Sequence, residues 1–116
     1  MTSTTTDALR KAANALIAAL NAFDTPGVQA LFTSDAVIDD PSTGRSFEGH
    51  AGIGDYVERY FKGYHTVTRF LSIDDLGDSR ARLRVDFTGD FGQETGVLVT
   101  KANADGLFVR IDADLE

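Results

Sequence analysis

Two adjacent carboxylates, Asp39 and Asp40, close the short apolar run AVIDD and stand directly before Pro41 and the turn residues STG. A carboxylate in such a turn accepts hydrogen bonds from nearby backbone N–H groups. The same group pointed into an apolar cavity does different chemistry, because its charged form is disfavoured there and it becomes a proton acceptor near neutral pH. Alternation along a strand lets only one of the pair face inward. Val37 and Ile38 are both apolar and do not choose between them. Asp39 is expected to face water or to hold Arg45 in a surface pair.

His65 is the second group able to move a proton near neutrality. It stands at the start of a long alternating segment, in one parity set with Val67, Arg69, Leu71 and Ile73. It would relay a proton if that set reached a cavity; otherwise it is a histidine bonded to backbone. His50, at the start of a helical stretch, reads as structural or exposed. Two histidines without metal-ligand spacing do not make a metal site. AGIGD lacks the Lys-Ser/Thr of a phosphate loop. No cysteine is present, which excludes thiolate chemistry and disulfides.

These groups must be held by elements legible in the pattern of the 116-residue chain, which fits one domain, 1–116, with a Ser/Thr tail over 1–5. Leu9, Ala12, Ala13, Leu16, Ile17, Leu20 and Phe23 recur at three- and four-residue spacing, as one stripe of an amphipathic helix. Asp24-Thr25-Pro26 restarts a short helix through Val28, Leu31 and Phe32. AVIDD is a strand, PSTG a turn, and Arg45–Glu48 a brief return strand. Ile53, Val57, Tyr60, Phe61 and Tyr64 form a third helical stripe, with Glu58 and Lys62 paired on its wet side and Gly63 as its cap. From Tyr64 the period becomes two, giving four long strands parted by Gly/Asp turns, with a bend expected at Gly89–Gly92. Helices gathered on one face of an antiparallel meander define an α+β domain.

The formal charge of −7, from 11 basic and 18 acidic side chains, disfavours nucleic acid, whose phosphates need a basic face. The opening apolar stretch is broken by Asn14 and Asn21 and preceded by no basic segment, so a membrane span is not expected and the protein reads as cytoplasmic. Arg80, Arg82 and Arg84 alternate with apolar residues on one strand and mark its outer face.

The pieces LNAFD, VQALF, SDAVIDDP and a glycine followed by AGIGDYVERYF resemble the first half of the nuclear transport factor 2-like superfamily. The likeness is greatest to its branch of SnoaL-like and ketosteroid isomerase-like proteins, and it extends over nearly the whole chain. It implies a cone-shaped α+β fold with an apolar pocket at the open end, three helices packed on a curved antiparallel sheet. It implies further that Asp40, before Pro41, is the residue in the position of the isomerases' general base. The isomerases' oxyanion donors, a tyrosine and a protonated aspartic acid, would fall at Leu16 and near Leu98, Val99 and Thr100, none of which replaces them. A true steroid isomerase is therefore not expected, since losing one such donor costs about a hundred- to a thousand-fold in rate.

The resemblance places Tyr56 and Phe87 on the pocket wall, with Tyr56 able to donate a hydrogen bond, and Leu16, Ile38 and Tyr60 are further candidates for ligand contact. The expected function is binding of a small apolar organic molecule. If an enzyme, the protein would be a cofactor-free isomerase, cyclase or dehydratase using Asp40 as base on a carbonyl compound, with His65 as helper. The alternative is a non-catalytic pocket or interaction module. In either case a homodimer is expected through the sheet face carrying Arg80, Arg82, Arg84, Asp86 and Arg110.

Overall fold

The apolar stripe of the first segment can only be buried against another element. In the computed structural model, which describes residues 2–115 and side chains over 7–115, Ala13, Leu16 and Leu20 of α1 (Thr2–Asn21) are buried. The tail expected over 1–5 lies outside the residues with described side chains, and the backbone of α1 already runs from Thr2. Asn21, which interrupts the apolar run, has a structural task at the helix end. Its side-chain amide donates to the Thr68 carbonyl (2.9 Å) and its oxygen accepts from the Thr68 N–H (2.7 Å).

α2 (Thr25–Gln29) starts as its sequence signals. Asp24 caps it by accepting from the Gly27 N–H at 3.0 Å, and Pro26 lies in the first turn. It ends sooner than expected. Phe32 belongs to β1 (Phe32–Asp40), where it pairs with Phe108 and packs on that ring at 5.3 Å between centroids. A long-range strand pairing here outweighs the local helical spacing.

β1 turns through Pro41–Thr43 and Gly44, whose φ of 77° suits a residue without a Cβ, into β2 (Arg45–Glu48). α3 (Gly49–Val57) follows and passes into a π-helical turn over Glu58–Lys62, closed by the Gly63 N–H on the Glu58 carbonyl at 2.9 Å. The expected third stripe is therefore not one regular helix. Gly63 ends it with ordinary helical φ (−62°), and its lack of a Cβ matters for space, since a Cβ would meet the Arg59 carbonyl oxygen at 2.5 Å.

β3 (Val67–Gly77), β4 (Arg80–Gly89), β5 (Gly92–Ala102) and β6 (Phe108–Leu115) form the expected meander. The sheet order is β2-β1-β6-β5-β4-β3, with β1 and β6 parallel and the other pairs antiparallel. The bend expected at Gly89–Gly92 is a tight hairpin, Gly89 opposite Gly92. This curved sheet wraps the helices around one core. Ile53 and Val57 of α3, Leu83 and Val85 of β4 and Phe47 of β2 are at most 1% exposed. Each such side chain stabilises the fold by roughly 1.5–3 kcal/mol.

Candidate functional site

Ala36, Ile38 and Asp40 share the inner face of β1, and Asp40 is only 8% exposed. Asp39 points outward, where its parallel neighbour on β6 is Asp112 and its carboxylate faces Arg110 at 3.4 Å. The expected Asp39–Arg45 pair does not form. Arg45 is the cross-strand partner of Asp40, so it projects on the helical side of the sheet. There it meets Asp55 of α3 at 3.2 Å and lies over the Phe47 ring.

The Asp40 carboxylate has two tasks. Its Oδ1 caps the Pro41–Thr43 turn, accepting from the Ser42 N–H (3.1 Å) and the Ser42 hydroxyl (2.6 Å). Its Oδ2 accepts from the Tyr56 hydroxyl at 2.7 Å. An ionised carboxylate offers about four acceptor positions, so three bonds leave one, on Oδ2. Among the described residues no Lys or Arg forms an ion pair with Asp40.

Tyr56 reaches inward from α3 between the rings of Phe47 (4.9 Å), Tyr60 (5.6 Å) and Phe61 (5.6 Å). Its phenol is held protonated well above the usual tyrosine range, first by burial, then by the Asp40 charge and the hydrogen bond to it. The hydroxyl expected to donate to a ligand thus donates to Asp40, which ties the carboxylate from both sides.

Asp40, Ser42, Tyr56, Tyr60, Phe61 and Phe87 line a cavity of about 370 Å³ that opens between the 41–43 turn and the β4–β5 hairpin. Tyr64, Phe91 and Glu94 stand at its outer end, all exposed. The π-helical turn helps to place Tyr60 and Phe61 on this wall; such turns recur at functional sites. Gly96 gives the Phe87 ring its place, because a Cβ there would meet Phe87 Cε2 at 2.6 Å. Sequence reasoning counts Tyr64 and Phe91 among the aromatic residues that supply a lining, without placing them at a mouth, and it does not find Gly96. Tyr64 carried a signal as the last aromatic of its stripe, whereas the Gly96–Phe87 contact is a cross-sheet diagonal with none.

Leu16 and Ile38, expected as pocket walls, are core. They border a separate apolar void of about 20 Å³ behind Tyr56 and Phe61, room for no more than about one water. His65 also falls outside the cavity. It is not a strand residue but a turn residue with φ of 55°, and its side chain is 73% exposed with Nδ1 2.9 Å from Asp90. β3 begins only at Val67, and a register shift between Phe70 and Ser72 turns Ile73 toward the core. The expected parity set is thereby broken. His50 Nε2 lies 2.9 Å from the Phe32 carbonyl and braces α3 on β1.

Asp86, expected on the exposed sheet face, is 6% exposed and accepts from the Gln93 amide and the Thr88 hydroxyl. Among the described residues no three His, Asp or Glu side chains gather as metal ligands, and no helix is long and apolar enough to cross a membrane.

Residues 13–111 match the SnoaL-like domain family. No curated protein matches the chain by sequence. A protein of unknown function with a cystatin-like fold from Methylobium petroleophilum PM1 superposes with a TM-score of 0.83 at 18% identity, over 94% of this chain and 76% of that one. A candidate polyketide cyclase from Sinorhizobium meliloti gives 0.81 at 24% identity, over 90% and 94% of the two chains. A candidate ketosteroid isomerase from Kribbella flavida DSM 17836 gives 0.79 at 20% identity, over 95% and 78%. At these identities the likeness is one of fold.

Proposed function

The chain belongs to the SnoaL-like domain family, and from that premise we propose that it binds a small organic molecule in the cavity beside Asp40. The observation that carries this reading is the one open acceptor position on Asp40 Oδ2, at the wall of a cavity of about 370 Å³ half of whose lining residues are aromatic. A concave apolar site with a few convergent polar groups is the usual form of a ligand pocket. Asp40 anchors a ligand N–H or O–H there, and Tyr56 and Ser42 hold the carboxylate in place.

A second reading makes Asp40 a cofactor-free general base on a carbonyl compound, of isomerase, cyclase or dehydratase type. The open position on Oδ2 is where the abstracted proton would arrive. The oxyanion partner is the weak point. Leu16 is core, Leu98 borders the inner void, Thr100 is buried, and the Tyr56 hydroxyl is committed to Asp40. Tyr60 and Tyr64 are the phenols on the wall whose hydroxyls make no side-chain hydrogen bond among the described residues. Catalysis would have to draw its oxyanion donor from one of these two phenols, whereas binding needs only the open position on Asp40.

One experiment separates the readings. Carbonyl compounds are incubated with the protein in D₂O and followed by NMR, for shifts of Asp40 and Tyr60 signals and for deuterium uptake beside the carbonyl. Binding alone gives shifts that Asp40→Asn weakens. Catalysis adds deuterium uptake that Asp40→Asn abolishes. Absence of any shift across a broad set of small molecules overturns both.

A homodimer belongs to the same proposal. Across the outer face of the sheet, Arg82, Val99, Asp112 and Asp39 are successive cross-strand neighbours. The row therefore runs from basic through apolar to acidic. A second copy turned about a twofold axis at the valines would set each basic end over an acidic one.

A further inference from the structure

We infer that the occupant of the Asp40 cavity is an organic cation, a small molecule carrying an ammonium or quaternary ammonium group. The inference rests on the binding reading above and names the class of ligand. Two carboxylates belong to the wall, Asp40 inside and Glu94 at the mouth, and no Lys, Arg or His is among the described lining residues. Glu94 stands on β5 directly across from Phe87 and forms no ion pair among the described residues.

The surface between the two acids is aromatic. Tyr60 packs on Tyr64, and Tyr64 meets Phe91 edge to face at 6.0 Å, with 44% of Tyr64 and 43% of Phe91 left exposed. Exposed rings gathered at the rim of a cavity mark a binding surface rather than a packing need. The faces of such rings attract a cation through their quadrupole, and the attraction grows as water is displaced.

Each class of ligand meets this wall differently. An anion is repelled by both carboxylates. A neutral apolar molecule covers the rings but leaves the charge of Glu94 and the open position on Asp40 Oδ2 unanswered. An organic cation answers both: its charge meets Glu94, an ammonium N–H (or the hydroxyl of a quaternary ammonium alcohol) donates to the open position on Asp40 Oδ2, and its C–H surface lies on the rings. The net charge of −7 also raises the local concentration of cations around the protein. The apolar ligand expected from the sequence is thus replaced by an amphipathic, positively charged one.

The test is an NMR titration of the whole protein with three probes of matched shape: choline, its uncharged carbon isostere neohexyl alcohol, and the anion tert-butylacetate. Choline is expected to shift Tyr64, Phe91 and Glu94 signals and to bind about tenfold more tightly than the alcohol. tert-Butylacetate is expected to leave them unmoved. Glu94→Gln, an exposed change that leaves the core intact, should weaken choline several-fold and leave the alcohol unaffected. If the alcohol binds as tightly as choline, the cationic class is overturned while the pocket stands. If none of the three shifts a lining residue, the inference is overturned, while the binding reading falls only if the broader set of small molecules also gives no shift.

Discussion

Asp40 and Tyr56 stabilise one another unequally. Tyr56→Phe removes one donor but leaves Asp40 its two bonds to Ser42, and should cost about 1 kcal/mol. Asp40→Ala strands a buried phenol hydroxyl and uncaps the Pro41–Thr43 turn as well, and should cost about 2–3 kcal/mol. Urea unfolding of the two variants checks the order, and equal losses would refute it. The pair also makes a pH prediction. Tyr56 holds its proton more tightly folded than unfolded, because burial and the Asp40 charge oppose phenolate formation. Its contribution is therefore complete below about pH 10, the unfolded value, and is lost as the pH rises through the higher folded value. The wild type should lose more stability than Tyr56→Phe as the pH rises above about 10. Parallel losses in the two proteins would mean that the phenol is not so protected.

At the scale of elements, the cavity depends on how α1 and α3 are fastened to the sheet. β3 is an edge strand, so one side of its backbone has no strand neighbour. Asn21 supplies the missing partner at Thr68, offering one donor and one acceptor as a strand would. Thr68 is 2% exposed, so Asn21→Ala leaves a buried N–H and C=O unpaired. The expected loss is about 2–3 kcal/mol, with faster amide exchange at Thr68 as the local signature. Unchanged exchange there would show that other groups satisfy that backbone. The π-helical turn after α3 acts on the pocket instead. Together with the left-handed turn at His65, it sets Tyr60, Phe61 and Tyr64 on the cavity wall. The exposed His65–Asp90 pair then ties that turn to the β4–β5 hairpin across the mouth.

At the scale of the whole molecule, the two faces of the sheet divide the work. The inner face holds the core and the cavity, while the outer face carries the row that grades from Arg82 to Asp39. A dimer built on that row is held in part by exposed charge pairs, so it should weaken with salt. Sedimentation of the wild type should give a dimer, and Arg82→Glu should shift it toward monomer by setting acid over acid. A wild type that stays monomeric at high concentration would remove the proposal.

The one-dimensional signals recovered what depends on near neighbours. Helix periodicity placed Ala13, Leu16 and Leu20 on one buried face, and alternation found the four strands of the meander. The run before Pro41, with its likeness to a known family, marked Asp40 as the inward carboxylate. What escaped were features made by groups far apart in the chain. Val37 and Ile38 could not orient Asp39 and Asp40; the register of β1 on β2 and β6 does so. A left-handed residue and a register shift moved His65 off its expected face. Tyr56 and Asp40 are sixteen residues apart, and only the packing of α3 across β1 brings hydroxyl to carboxylate. Composition and local periodicity determine which residues are buried and in what kind of element, because those follow from transfer to and from water. The cavity is the space between elements, and its shape exists only once they are packed.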